Sequence, residues 1–131
     1  MRAAVLTGIK QFEIRQVSTP EIVNDTDVLI RIKTIGVCGS DIHYYTEGRI
    51  GSQIVPYPFT IGHECAGIVE RTGSKVKRVK PNQRIAIDPA VSCGHCDQCK
   101  TGREHTCREL FFRNGFNGNP SLRFGRNSKS L

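Results

Sequence analysis

The sequence predicts a mainly β fold, a partly open β-barrel with few short helices, on three observations. Short β-branched or alternating segments recur along the first two thirds of the chain. Gly and Pro punctuate them, 13 and 6 times in 131 residues, which keeps each element short. A tight cysteine cluster near residue 100 then looks like a cross-linked lobe in place of an apolar core.

The length suits one compact domain and is too short for two. Hydrophobic residues make up 37% and charged residues 24%, which excludes a disordered or membrane-embedded chain. No apolar run approaches the roughly 20 residues of a membrane helix. Lys10 comes too early for a signal peptide, so the expected compartment is the cytoplasm, where thiols stay reduced. Six cysteines there suggest metal ligands before disulfides.

Residues 3–6, 12–17 and 28–37 read as strands, with the run 24–27 supplying turn chemistry before the third. In that third strand Arg31 and Lys33 fall on one face, while Val28, Ile30 and Ile32 fall on the other as core positions would. A short helix is expected over 39–47, started by Ser40-Asp41. Residues 65–71 and 84–88 are two more strands, the latter after a turn at Pro81-Asn82. There are no internal repeats.

The net charge of +7 invites a nucleic-acid reading, but its distribution argues against one. Residues 1–109 carry 15 basic and 12 acidic side chains, a balance of +3; the remaining +4 comes from Arg113, Arg123, Arg126 and Lys129. The only basic run, residues 75–80, alternates like the exposed face of a strand. Neither nucleic acid nor membrane is an expected partner.

Cys93, Cys96, Cys99 and Cys107 spell C-x2-C-x2-C-x7-C. A tetrahedral zinc takes four thiolates, and such a closed set is structural. Gly94 relieves crowding in the first tight loop. His95 and His105 are competing ligands in principle; a disulfide pair, free thiols or an iron–sulfur cluster are the alternatives. Cys38, His63 and Glu64 form a mixed thiolate, imidazole and carboxylate set that would leave a coordination position open. Taken singly, a cysteine such as Cys38 is more often plain packing and a histidine such as His63 more often a satisfied core residue.

Gly62-His63-Glu64, with Gly67, Gly73 and Val76, fits G-H-E-x2-G-x5-G-x2-V. Together with Cys38-Gly39-Ser40-Asp41-Ile42-His43 and the cysteine lobe, it makes residues 1–112 resemble the N-terminal catalytic domain of zinc-dependent medium-chain alcohol dehydrogenases. That domain is a GroES-like barrel. Cys38 to Tyr45 and Glu47 to Gly51 look most like the sorbitol, L-iditol and xylitol dehydrogenases. The resemblance implies that Cys38, His63 and Glu64 hold a catalytic zinc, Glu64 either as a ligand or beside it. It implies that Asp41 braces the His63 ring, that Ser40 hydrogen-bonds the hydroxyl at the zinc, and that His43 passes a proton to solvent. Tyr44, Ile50 and Phe112 would line the substrate pocket; Tyr44 as core and Ser40-Asp41 as a plain helix cap are the structural alternatives. In full-length relatives a polyol or other secondary alcohol is oxidised to a ketone with NAD(P).

The chain departs from that pattern. No two glycines are spaced G-x-G, so the dinucleotide-binding turn is missing and the chain alone is expected to be inactive. The family's downstream ligand to the catalytic zinc is also missing: beyond Cys107 the only acid is Glu109, with no Cys or His. The stretch 113–131 is a basic tail without periodicity. It is expected to be disordered or out of the family's frame, as a frame change, an aberrant junction or a truncated coding sequence would leave it. Pro81-Asn82 stands where the family commonly has Gly-Asp. The alternative to a dehydrogenase half is a non-enzymatic zinc-binding remnant or interaction module. Self-association is expected if the barrel leaves apolar surface uncovered.

Overall fold

The computed structural model describes residues 1–112, with side chains up to residue 110. The expectations for the tail at 113–131 and for the Phe112 side chain lie outside the described residues. The fold is mainly strand, as expected. In chain order it runs β1 (Arg2–Gly8), β2 (Gln11–Gln16), β3 (Val28–Gly36), α1 (Gly39–Glu47), β4 (Arg49–Ile50), β5 (Gln53–Ile54), β6 (Glu64–Thr72), β7 (Arg84–Ala86), β8 (Ala90–Val91), α2 (Asp97–Lys100), a 3₁₀ turn (Glu104–Thr106) and β9 (Phe111–Phe112). All ladders are antiparallel and group as β1-β2, β3-β6-β7, β4-β5 and β8-β9. Among the described residues no helix is long and apolar enough to cross a membrane.

Two apolar clusters hold these ladders together. Leu6, Tyr44, Val55 and Phe59 form the first, with Tyr45, Ile50 and Ile61 packed against it. Leu6 and Phe59 exchange both backbone hydrogen bonds, at 2.7 and 2.8 Å, which pins β1 to the segment before the Gly62-His63 turn. Val69, Val79 and Ile85 form the second, with Val28, Ile30 and Val76 at its edge. Leu6, Phe59 and Val69 are sealed from solvent, each burial worth about 1.5–3 kcal/mol.

Two expectations about exposure and element type need correction. Ile32 is not core: it is 36% exposed. Its register partner on β6 is Gly67, which offers no side chain to pack beside, and the register slips immediately afterwards between Ile32 and Thr34. The basic run 75–80 is not a strand. The Gly73 and Lys75 amides still reach across to the Asp27 and Asp25 carbonyls beyond the end of β6, but the Val76 amide turns back to the Gly73 carbonyl and residues 76–80 join no strand. Val76 and Val79 still face inward, three residues apart. The turns at 24–27 and Pro81-Asn82 form as expected. The Asp27 carboxylate accepts the Val23 and Asn24 amides, and Asn82 takes a left-handed φ of 71°.

Candidate metal centres

The first centre is assembled where β3 runs into α1 and the Gly62-His63 turn runs into β6. Cys38 is the N-cap of α1, two residues before the expected start at Ser40-Asp41. Asp41, in the first turn, reaches back so that Oδ2 accepts the Cys38 amide at 3.0 Å, while Oδ1 accepts the Gly62 amide at 3.2 Å. The same Oδ1 lies 3.5 Å from His63 Nδ1. Asp41 is 4% exposed, the one buried charged side chain among the described residues. It therefore ties together two segments that carry a thiol and an imidazole 25 positions apart in sequence.

Cys38, His63 and Glu64 each bring a donor atom within 4.8 Å of the others. Glycines make the room. Gly36 pairs with Glu64 across β3 and β6, and a Cβ there would stand 2.9 Å from a Glu64 carboxylate oxygen. Gly62 takes φ +100°, which L side chains rarely adopt, as its amide turns to Asp41. Neither glycine's role is legible from composition; Gly62 was singled out only as part of the motif.

Ser40 Oγ is buried and is the one such side-chain polar atom without a hydrogen-bond partner among the described residues. Leaving it so costs about 1–3 kcal/mol unless a ligand answers it. His43, one turn further along α1, is exposed, and its Nδ1 lies 2.9 Å from Glu47 Oε1. Tyr44 belongs to the core instead of an open wall: it is 7% exposed and edge-on to Phe59 at 5.4 Å. Burial first, then the charges of Asp41 and Cys38, push its phenol pKa up. Ile50 packs half-buried against the same cluster.

The second centre gathers Cys93, Cys96, Cys99 and Cys107 within 4.8 Å of one another. Three of its sulfur separations are 3.5 Å (Cys96–Cys99), 3.9 Å (Cys93–Cys99) and 4.0 Å (Cys96–Cys107). A tetrahedron with arms of about 2.3 Å has edges of about 3.8 Å, so the spacing fits four sulfurs round one zinc. All four are free thiols. Gly94 takes φ 75° in the first tight loop, as expected of it.

Backbone amides point at the sulfurs: Cys93 and Glu109 donate to Cys107, and Cys96 donates to Cys93. The amides of Arg108 and then Cys99 draw the Cys96 thiol down to about 6, while burial and neighbouring thiols push Cys99 up to about 12. Crowded thiols resist ionising together, and a cation resolves that conflict. His95 and Glu109 form a third grouping with Cys93, but both are exposed and the four sulfurs already make a complete set.

These two centres on a β scaffold agree with the likenesses to known proteins. The alcohol dehydrogenase GroES-like domain family matches residues 24–125. A sorbitol dehydrogenase of Bacillus subtilis is 45% identical over 112 residues, covering 86% of this chain and 31% of that protein. An L-idonate 5-dehydrogenase of Vitis vinifera is 44% identical over 110 residues, covering 84% and 30%. Among solved structures, an L-idonate 5-dehydrogenase of Escherichia coli superposes with a TM-score of 0.75 at 30% identity, over 95% of this chain and 35% of that one. Galactitol-1-phosphate dehydrogenase from the same organism gives 0.77 at 27% identity, over 88% and 32%. The chain thus spans about a third of the length of the relatives it matches, and it belongs to the alcohol dehydrogenase GroES-like domain family of the zinc-dependent medium-chain dehydrogenases.

Proposed function

We propose that this chain supplies the zinc- and substrate-binding half of a polyol dehydrogenase that oxidises a secondary alcohol to a ketone with NAD as hydride acceptor. The observation that carries the reading is Ser40 Oγ, buried without a partner on the helix that also carries Cys38 and Asp41. Cys38, His63 and Glu64 would hold the catalytic zinc; when bound, it supplies the Lewis acidity that lets an alcohol lose its proton near neutral pH.

The chain's own residues do the rest. Ser40 accepts a hydrogen bond from the substrate hydroxyl and so orients it. Asp41 fixes the tautomer and angle of His63. Ser40, His43 and Glu47 sit at steps of three and four along α1, which places them along one side of the helix from its buried start to its exposed end. That line is a route for the proton to solvent, with His43 as carrier. Tyr44 and Ile50 back the site from the core. Cys93, Cys96, Cys99 and Cys107 would hold a second, structural zinc.

No two of the 13 glycines stand as G-x-G, so the nicotinamide must be held elsewhere, and this chain alone is not expected to turn over. Zinc per polypeptide tests the reading. Two zincs, falling to one in Cys38→Ser, are expected. A single zinc that survives Cys38→Ser overturns it and leaves a non-enzymatic four-cysteine remnant.

A further inference from the structure

Cys107 is the remote member of the four-cysteine set. Two residues separate each of the others, and seven separate Cys107 from Cys99, so bringing it home closes the longest loop. No apolar side chain is buried in the lobe to hold it there; Cys107 itself is the one buried residue between positions 88 and 110. Both sequence neighbours of Cys107 bond instead to the pair Asp97-Gln98, which lies between Cys96 and Cys99. Arg108 donates from Nε to Asp97 Oδ1 at 2.6 Å and from Nη2 to Asp97 Oδ2 at 2.8 Å. Thr106 Oγ1 donates to Gln98 Oε1 at 2.9 Å, and Gln98 Nε2 donates to Asp97 Oδ2 at 3.1 Å. An exposed ion pair is ordinarily weak, but a two-point guanidinium–carboxylate fork adds direction as well as charge.

We propose that Asp97 and Arg108 are positioning residues for the lobe's metal, gathering Cys107 against Cys96 so that the ion meets four preassembled sulfurs and leaves slowly. This rests on the reading of the lobe as a zinc site. Its physical content is kinetic: without the fork, the long loop opens more often, each opening briefly leaves three sulfurs on the ion, and a chelator gains entry.

The test uses the full chain in a Cys38→Ser background, so that only lobe metal is counted. Zinc release to excess chromogenic chelator is timed for the parent, Asp97→Asn, Arg108→Gln and the double variant. Cobalt substitution reports by its thiolate charge-transfer band whether four sulfurs still bind. Each single variant is expected to keep that band and release zinc about tenfold faster, the low end for groups that orient metal ligands. The double variant should release no faster than either single one, because the two residues act as one device. Arg108→Lys, a point charge without the fork, should fall in between. Parental release rates in the single variants, or effects that multiply in the double, overturn the inference. If the parent itself shows no four-thiolate cobalt band, the zinc reading of the lobe fails instead.

Discussion

At the scale of single residues, Asp41 decides the most. Its carboxylate accepts the Cys38 and Gly62 amides and faces His63, so one anion orients a thiol-bearing and an imidazole-bearing segment at once. Asn at this position keeps the shape but loses the charge and turns one acceptor into a donor aimed at a donor. On the proposed reading, Asp41→Asn should therefore weaken zinc binding at Cys38, His63 and Glu64 by about 10–100-fold and leave binding at the four cysteines unchanged, as read by competition with a calibrated chelator. Equal loss from both centres would remove Asp41 from its assigned role. Cys65, one position past Glu64, is 7% exposed, and burial followed by the Asp41 charge raises its thiol pKa. In the native chain at pH 8 it should resist iodoacetamide until denaturant is added, with modification mapped by mass spectrometry. The nearness of Asp41 to His63 was legible through resemblance. The bond from Asp41 to the Gly62 amide was not, because that bond joins residues 21 positions apart that only the folded turn brings together.

Among the elements, β6 has no room for a side chain at Gly67. Gly67 lies so close to β3 that a Cβ would stand 2.5 Å from the Arg31 carbonyl oxygen, and one at Gly73, just past the strand, would press on the Asp25 carbonyl. Backbone cannot yield as a flexible side chain does, so Gly67→Ala and Gly73→Ala should each cost about 1–3 kcal/mol in denaturant unfolding. A cost near zero would mean that the strands part freely. The cysteine lobe has no buried apolar side chain of its own, so a metal held as proposed would have to stand in for packing. Chelation should abolish amide protection across 93–107 while β1, β3 and β6 keep theirs, as followed by hydrogen exchange. Loss of protection everywhere would make the lobe part of the core. Strands of six to nine residues were legible because alternation needs several residues to register. β4, β5 and β8, two residues each, carry no period at all and escaped notice. Ile32 was misplaced because its burial depends on what stands opposite, and Gly67 is silent about that in β3's own sequence.

For the whole molecule, the unequal sealing of its surfaces has a consequence in solution. The two apolar clusters are closed, yet Ile14, Ile35, Val37, Ile42 and Ile54 are all more than half exposed. Three of these, Ile35, Val37 and Ile42, flank Cys38 in sequence, where β3 ends and α1 begins. Ile14 sits on β2, every residue of which is exposed. Apolar surface of this kind costs about 25 cal/mol per Å² when left in water, and a second copy of the chain can cover it. The net charge of +7 opposes that association, so its strength should rise with salt, the reverse of an ion-pair contact. Sedimentation velocity should show species heavier than one chain that grow with protein concentration and with added salt. Ile35→Lys and Val37→Lys should shift the distribution towards the single chain without lowering the midpoint of unfolding, since neither residue is buried. Monomer at every concentration and salt would mean that these side chains are individually well hydrated and do not form a common sticky face. Association that weakens with salt would instead place charge, rather than apolar contact, at the junction.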